Sequence, residues 1–136
     1  MNTATEGFTG EWRCRYWHPS NTHNGNDVSE YQLKASQQDN RLTMTSLPTD
    51  DGSYMTVKLT IEDGLATGAW QESTAPLGEF KGIVYSGATQ LIISADGQRM
   101  DGKWVGIGRE ELEDGTYEPQ IYTGKWELVH EPHASV

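Results

Sequence analysis

Five Asx-Gly pairs punctuate the chain: Asn24-Gly25, Asp51-Gly52, Asp63-Gly64, Asp96-Gly97 and Asp114-Gly115. Such pairs supply the positive φ angles that tight hairpins require, so this chain must be built from strands that repeatedly double back. The runs between them are short and of mixed polarity. In TVKLTIE, Val57, Leu59 and Ile61 fall on one face and Thr56, Lys58 and Thr60 on the other; in NRLTMTS, Leu42 and Met44 oppose Arg41, Thr43 and Thr45. Period two with one polar face marks antiparallel sheet. Nine strands are predicted, at about 10–18, 28–37, 40–47, 53–62, 65–74, 79–87, 88–95, 98–109 and 120–130. No long window carries a helical stripe. The best helical candidate, Arg109 to Asp114 (REELED), reads equally as an acidic loop.

A tetrapeptide of the form [TD]-G-x-W occurs four times: Thr9-Gly10-Glu11-Trp12, Thr67-Gly68-Ala69-Trp70, Asp101-Gly102-Lys103-Trp104 and Thr123-Gly124-Lys125-Trp126. The spacings are irregular, so this is a strand-level motif and not a solenoid repeat. Gly and Trp two apart share one face of a strand. The glycine leaves room for a neighbouring ring to lie against backbone and lets the strand coil sharply. Four such pairs suit a small closed barrel with indoles inside. The connections are short, which favours up-and-down neighbours over the Greek-key spacing of immunoglobulin-type sandwiches. The expected fold is all-β: an eight- to nine-stranded antiparallel up-and-down β-barrel, lipocalin- or streptavidin-like, a size that encloses side chains or one small ligand.

Composition bears on this in two ways. Leu, Ile, Val and Phe are only 23 of 136 residues, a proportion that leans toward disorder at high net charge. Five Trp and six Tyr answer it, since each ring buries on the order of 150–250 Å² and the core can be aromatic. The net charge of −10 opposes the basic face that binding to a nucleic-acid polymer needs, and opposes docking on anionic lipid. No apolar run is long enough to span a membrane, and the N-terminal residues carry no secretory pattern. The single Cys14 cannot form an internal disulfide, which fits a reducing, cytoplasmic setting.

Candidate chemistry is sparse. His18 and His23 flank the WHPSNTHNGN loop, and His130 and His133 lie in the tail; a solvated loop is preferred to a metal site. Cys14 shares the strand face of Trp12 and Tyr16 and is expected to be a core thiol, with Arg13 and Arg15 pointing the opposite way. Gly106-Ile107-Gly108 lacks the context of a dinucleotide fingerprint. No second catalytic group is set by spacing, so Glu72 as a general acid or base is the weakest reading. No cofactor is expected.

More informative are the polar residues among the inward aromatic ones. Glu72 and Thr74 share the face of Trp70; Met100, Gly102 and Gly106 share that of Trp104; Tyr122, Gly124 and Leu128 share that of Trp126. A carboxylate on such a face needs a partner, and Arg15, Arg99 and Arg109 are the candidates. The alternative is that Glu72 lies at a strand end in water. Together Trp12, Tyr16, Trp70, Glu72, Thr74, Trp104, Arg109, Tyr122 and Trp126 form the candidate ligand-binding set, with aromatic walls and an arginine suited to a planar or anionic ligand. Inward indoles could equally pack the barrel shut. In STAPLGEFKGIVYSG (73–87), Pro76 and Gly78 make a turn. Both faces of the following strand carry apolar side chains, so a packed loop, a chain terminus or a dimer partner could cover it.

The segment TGAWQESTAPLGEFKGIVYSGATQLIISADGQRMDGKWVGIGRE, followed by YTGKWEL and preceded by GEWRCRYWHPS, resembles the C-terminal domain of a group of actinobacterial helix-turn-helix regulators over about residues 9–129. The resemblance implies a bacterial sensor or effector-binding β-barrel, here a standalone chain without the DNA-binding helices and with an insertion-like acidic stretch, Glu110 to Pro119. A broader similarity, through the first-strand G-x-W, is to lipocalin-like and avidin-like barrels, and an architectural one is to barrels that sense cyclic nucleotides. The expected organisation is a flexible N-terminus (1–8), one barrel domain (9–130) and a flexible tail (131–136). The expected function is small-molecule binding, with a nucleotide or other planar ligand in view. The alternative is a protein-interaction or dimerisation scaffold.

Overall fold

The computed structural model describes residues 7–19, 26–73 and 84–131, apart from the side chains of 18, 19, 26, 27, 107–111, 117, 119 and 120. Eight strands follow in order: β1 (Gly10–Pro19), β2 (Asn26–Gln38), β3 (Arg41–Ser46), β4 (Tyr54–Glu62), β5 (Leu65–Ser73), β6 (Val84–Ile93), β7 (Arg99–Glu111) and β8 (Tyr117–Glu131). Each pairs antiparallel with the next, and β8 pairs with β1 to close an up-and-down barrel. Closure pairs each strand on both sides along the barrel wall, which removes open sheet edges there.

The turns form as the Asx-Gly pairs dictate. Asp63 and Gly64 take φ of 54° and 78° between the paired Glu62 and Leu65, the two positive angles of a type I′ hairpin. Gly52, Gly97 and Gly115 also have positive φ. In these three turns the preceding aspartate accepts the backbone N–H two residues on: Ser53 at 2.9 Å, Gln98 at 3.0 Å and Thr116 at 2.9 Å. Asn24-Gly25 lies outside the described residues. The β2–β3 turn uses Asp39-Asn40, with φ of 57° at Asp39, a hairpin without a glycine signal.

Two expectations are corrected. The break expected between the runs 79–87 and 88–95 does not occur: β6 is continuous from Val84 to Ile93, with residues 79–83 outside the described ones, and Gly87 sits within it with Trp70 packed on the bare backbone there. The REELED segment is neither helix nor free loop at its start; Arg109–Glu111 end β7, and the turn spans 112–116. The acidic stretch is therefore the tip of a long β7–β8 ribbon. Pairing of β6 with β7 stops at Gly87–Gly106 and that of β1 with β8 at Tyr16–Trp126, so the ribbon runs past the wall on both sides.

The core follows strict alternation. Trp12, Cys14, Leu33, Leu42, Met44, Val57, Ala66, Leu91, Met100 and Leu128 are fully enclosed. Lys34, Arg41, Lys58, Lys103 and Lys125 stand exposed on the outer face. A lipid-facing barrel has the reverse arrangement, with an apolar band outside. Among the described residues no helix is long and apolar enough to cross a membrane. All four glycine-spaced indoles turn inward: Trp12, Trp70, Trp104 and Trp126 are 0%, 8%, 6% and 1% exposed. At 150–250 Å² per ring and about 25 cal/mol/Å², each contributes roughly 4–6 kcal/mol of apolar burial as an upper value, so the aliphatic shortfall is made up by aromatic rings.

Candidate functional site

The two ends of the barrel differ. One end is sealed. Trp12 stacks on His130 with centroids 4.6 Å apart and planes 7° from parallel, and its indole N–H donates to the Phe8 carbonyl at 2.8 Å. His130 is therefore a β8 residue inside the barrel, opposite Trp12 in register, and not part of a tail. The short hairpins β2–β3, β4–β5 and β6–β7 crowd the same end.

The middle is an indole cluster. Trp70 meets Trp104 edge-on at 5.7 Å and Trp126 edge-on at 6.3 Å, the arrangement that ring quadrupoles favour. The rings fit because glycines on the neighbouring strands offer no side chain: a Cβ at Gly87 would lie 2.8 Å from Trp70, and one at Gly124 2.7 Å from Trp104. Each indole N–H is satisfied. Trp70 donates to the Ala88 carbonyl at 3.2 Å, Trp104 to the Trp17 carbonyl at 2.8 Å and Trp126 to Cys14 Sγ at 2.9 Å.

Above this floor, at the end bearing the β1–β2, β3–β4 and β5–β6 connections, lies a polar cluster. The Tyr16 hydroxyl is 2.7 Å from both oxygens of Glu72, and the Tyr31 hydroxyl donates to Glu72 Oε2 at 2.5 Å. The two phenol rings are parallel within 6° at 6.5 Å, and Tyr16 also meets Trp104 edge-on at 6.3 Å. Ser29 hydrogen-bonds the Tyr16 hydroxyl, and Ser53 that of Tyr31. Burial, then the charge of Glu72, holds the Tyr16 hydroxyl well above the ordinary tyrosine range. Burial, then the hydrogen bond to Glu72, does the same for Tyr31. Tyr85 is raised by burial and then by the proximity of Tyr122 and Glu72, which places both tyrosines at the rim. Tyr122 itself is 42% exposed.

The expected set is thus only partly brought together. Tyr16, Trp70, Glu72 and Trp104 converge, and Trp126 lies beneath them in the floor. Trp12 belongs to the sealed end. Thr74 lies outside the described residues, as does the side chain of Arg109, whose backbone pairs with Pro119 on the ribbon. Two of the three arginines expected to neutralise Glu72, Arg15 and Arg99, are elsewhere. Arg15 pairs with Glu30 at 3.0 Å and Glu127 at 3.5 Å, and Arg99 with Asp101 and Glu127 at 2.8 Å each, all on the outer face, because their positions alternate outward. Glu72 is held by phenols instead. Tyr31 was not among the expected residues. Its signal was present in the alternation of Tyr31, Leu33 and Ala35 within β2, all buried inward.

Cys14 is a core thiol, as its strand face required, with Arg13 and Arg15 turned outward. Burial pushes it up to about 12, so it is not a nucleophile at neutral pH. His18, His23 and His133 have no described side chains; among the described residues no three His, Cys, Asp or Glu are grouped to hold a metal ion.

No protein-family model matches the chain, and no curated protein matches it either.

Proposed function

We propose that this protein is a small-molecule-binding β-barrel, a sensor or sequestering module of the kind its resemblance to regulator C-terminal domains implies. The observation that carries the reading is the asymmetry of the lumen. One end is closed by the Trp12–His130 stack, while the other presents a half-buried carboxylate and two tyrosines on an indole floor. Binding sites for small molecules combine such apolar walls with a few oriented polar groups. A planar ligand, a nucleotide among the candidates, suits the ring geometry. A cytoplasmic setting accords with one buried cysteine and no disulfide.

The test is a thermal-shift and tryptophan-fluorescence screen of planar metabolites, nucleotides included, with native mass spectrometry of the purified chain. At least one compound is expected to bind saturably and to perturb the Trp104 indole N–H resonance. A library without any saturable binder, with that resonance unmoved throughout, overturns the reading.

The β7–β8 ribbon favours a second reading. It runs beyond the wall and carries Ile121, 73% exposed, beside Tyr122, while Val84 at the start of β6 is 56% exposed. An interaction or dimerisation surface on that side predicts concentration-dependent association in sedimentation, abolished by Ile121→Asp.

A further inference from the structure

Among the described residues, Glu72 is the only charged side chain on the inner face of the barrel. Every lysine and arginine whose side chain is described stands exposed on the outer face, and none of the ion pairs among the described residues includes Glu72. The carboxylate is kept in place by two phenol O–H donors, one proton from Tyr16 and one from Tyr31. A carboxylate offers about four lone-pair positions, so two protons leave acceptor capacity for a further donor. Phenol donors orient the group without cancelling its charge. Among the described residues no cation pairs with this half-buried carboxylate, and a buried charge is costly unless something positive joins it.

The surroundings point the same way. The carboxylate sits in an aromatic neighbourhood: Tyr16 and Tyr31 hold it through their hydroxyls, the Tyr16 ring stacks parallel to Tyr31 and meets Trp104 edge-on, and Tyr85 and Tyr122 stand at the rim. Ring faces attract cations, and they do so more strongly in a desolvated setting. The whole molecule carries a net charge of −10, which raises the local concentration of cations and repels anions.

We infer that the ligand of this barrel is cationic: a flat group bearing a protonated amine, amidinium or guanidinium whose N–H donors dock on Glu72 between the tyrosine and tryptophan rings. This rests on the small-molecule reading above and names its ligand class. An anionic nucleotide would have to bring its charge to the one inward carboxylate of the described lumen, so the phosphate-bearing class is disfavoured. An amidinium or guanidinium N–H can take the lone-pair positions that the two phenols leave on Glu72, a charge-assisted hydrogen bond.

The experiment compares three probes of nearly equal shape, benzamidine, benzamide and benzoate, titrated into the isotopically labelled full chain while the tryptophan indole N–H resonances are followed. Benzamidine is expected to shift the Trp104 resonance saturably, with affinity about tenfold or more above that of benzamide or benzoate. In Glu72→Gln this preference should fall to within about twofold, while Glu62→Gln, which removes the same charge from the exposed outer face, should keep it. If benzoate or benzamide binds as well as benzamidine, the cationic assignment is overturned and the small-molecule reading survives. If none of the three moves Trp104, both assignments fall. The wild-type comparison decides the ligand class even if Glu72→Gln does not fold.

Discussion

Trp126 donates its indole N–H to the sulfur of Cys14 at 2.9 Å, across the seam where the last strand closes on the first. Both residues are nearly or fully enclosed, so this contact joins the chain's two ends inside the barrel. The thiol is raised first by burial; the hydrogen bond from Trp126 pulls it back only in part, and the charges of Glu72 and Glu30 add to the rise.

Labelling of Cys14 by a disulfide reagent should therefore wait for unfolding. Its rate should track the denaturant dependence of stability, and a fast native-state reaction would contradict the seam. The folded value lies above the unfolded one. The corresponding stability is thus complete below the ordinary thiol value of about 8.5 and is lost as pH rises toward about 12. Melting temperatures measured across that range should fall for the wild type and fall less for Cys14→Ala.

The mouth tyrosines make a second alkaline prediction. Tyr16 and Tyr31 are held protonated above the ordinary tyrosine value of about 10, so their share of stability is intact below it and lost as pH rises beyond it. Tyrosinate absorbance should show these two ionising only with alkaline unfolding. Glu72→Gln should bring both down by removing the charge they face. Tyr31→Phe should cost about 1–2 kcal/mol in chemical denaturation, the scale of one hydrogen bond to a carboxylate.

Glycines divide into two kinds. A Cβ at Gly68 would lie 1.8 Å from the Lys58 carbonyl oxygen, and one at Gly102 2.0 Å from that of Gln90. Backbone cannot yield there, so Gly68→Ala should cost more than about 3 kcal/mol, beyond the usual overpacking penalty. Gly64 has open space around it and only a positive φ of 78°, so Gly64→Ala should cost about 1–2 kcal/mol. Equal losses in urea titrations would refute the distinction.

Three turn aspartates set the acid limb. Hydrogen bonds hold Asp51, Asp96 and Asp114 below the usual carboxylate range. The largest contribution comes from the side chains of Ser53, Ser94 and Thr116 respectively. Their folded values are depressed, so the stability they add is present above about 3.9, the ordinary aspartate value, and lost as pH falls below it. Carboxyl resonances followed through an acid titration should show all three with midpoints below the ordinary aspartate value of about 3.9.

Inward and outward tryptophans should differ sharply. Trp12→Ala should cost about 3–5 kcal/mol, since it empties the sealed end and strands the ring of His130. Trp17 lies on the outer face under the ammonium of Lys125 at 5.0 Å, a contact worth about 0.5–1 kcal/mol. Comparable losses at both positions, read by denaturant unfolding, would refute the assignment of faces.

Most of the barrel is legible in local patterns. Asp63-Gly64 specifies its own turn because the angles needed are a property of two residues. Val57, Leu59 and Ile61 specify their face because a strand alternates whatever its neighbours. Gly87 misled because a glycine inside a strand and one at a turn look alike until the ring of Trp70 packs on it. REELED misled because its charges fit a helix, a loop or a ribbon, and pairing with residues 117–119 made it a ribbon.

The candidate site divides along the same line. The chain's local order alone determined that Trp70 and Glu72, and Trp12 and Tyr16, share faces, since that depends on the period of a strand. Which faces meet across the lumen is a matter of register and closure. Only those brought Tyr16 of β1 and Tyr31 of β2 onto Glu72 of β5, and only they sent Trp12 to the sealed end with His130. Contacts between residues 41 and 56 positions apart are decided by how eight strands curl into a cylinder, and no local pattern encodes that curl.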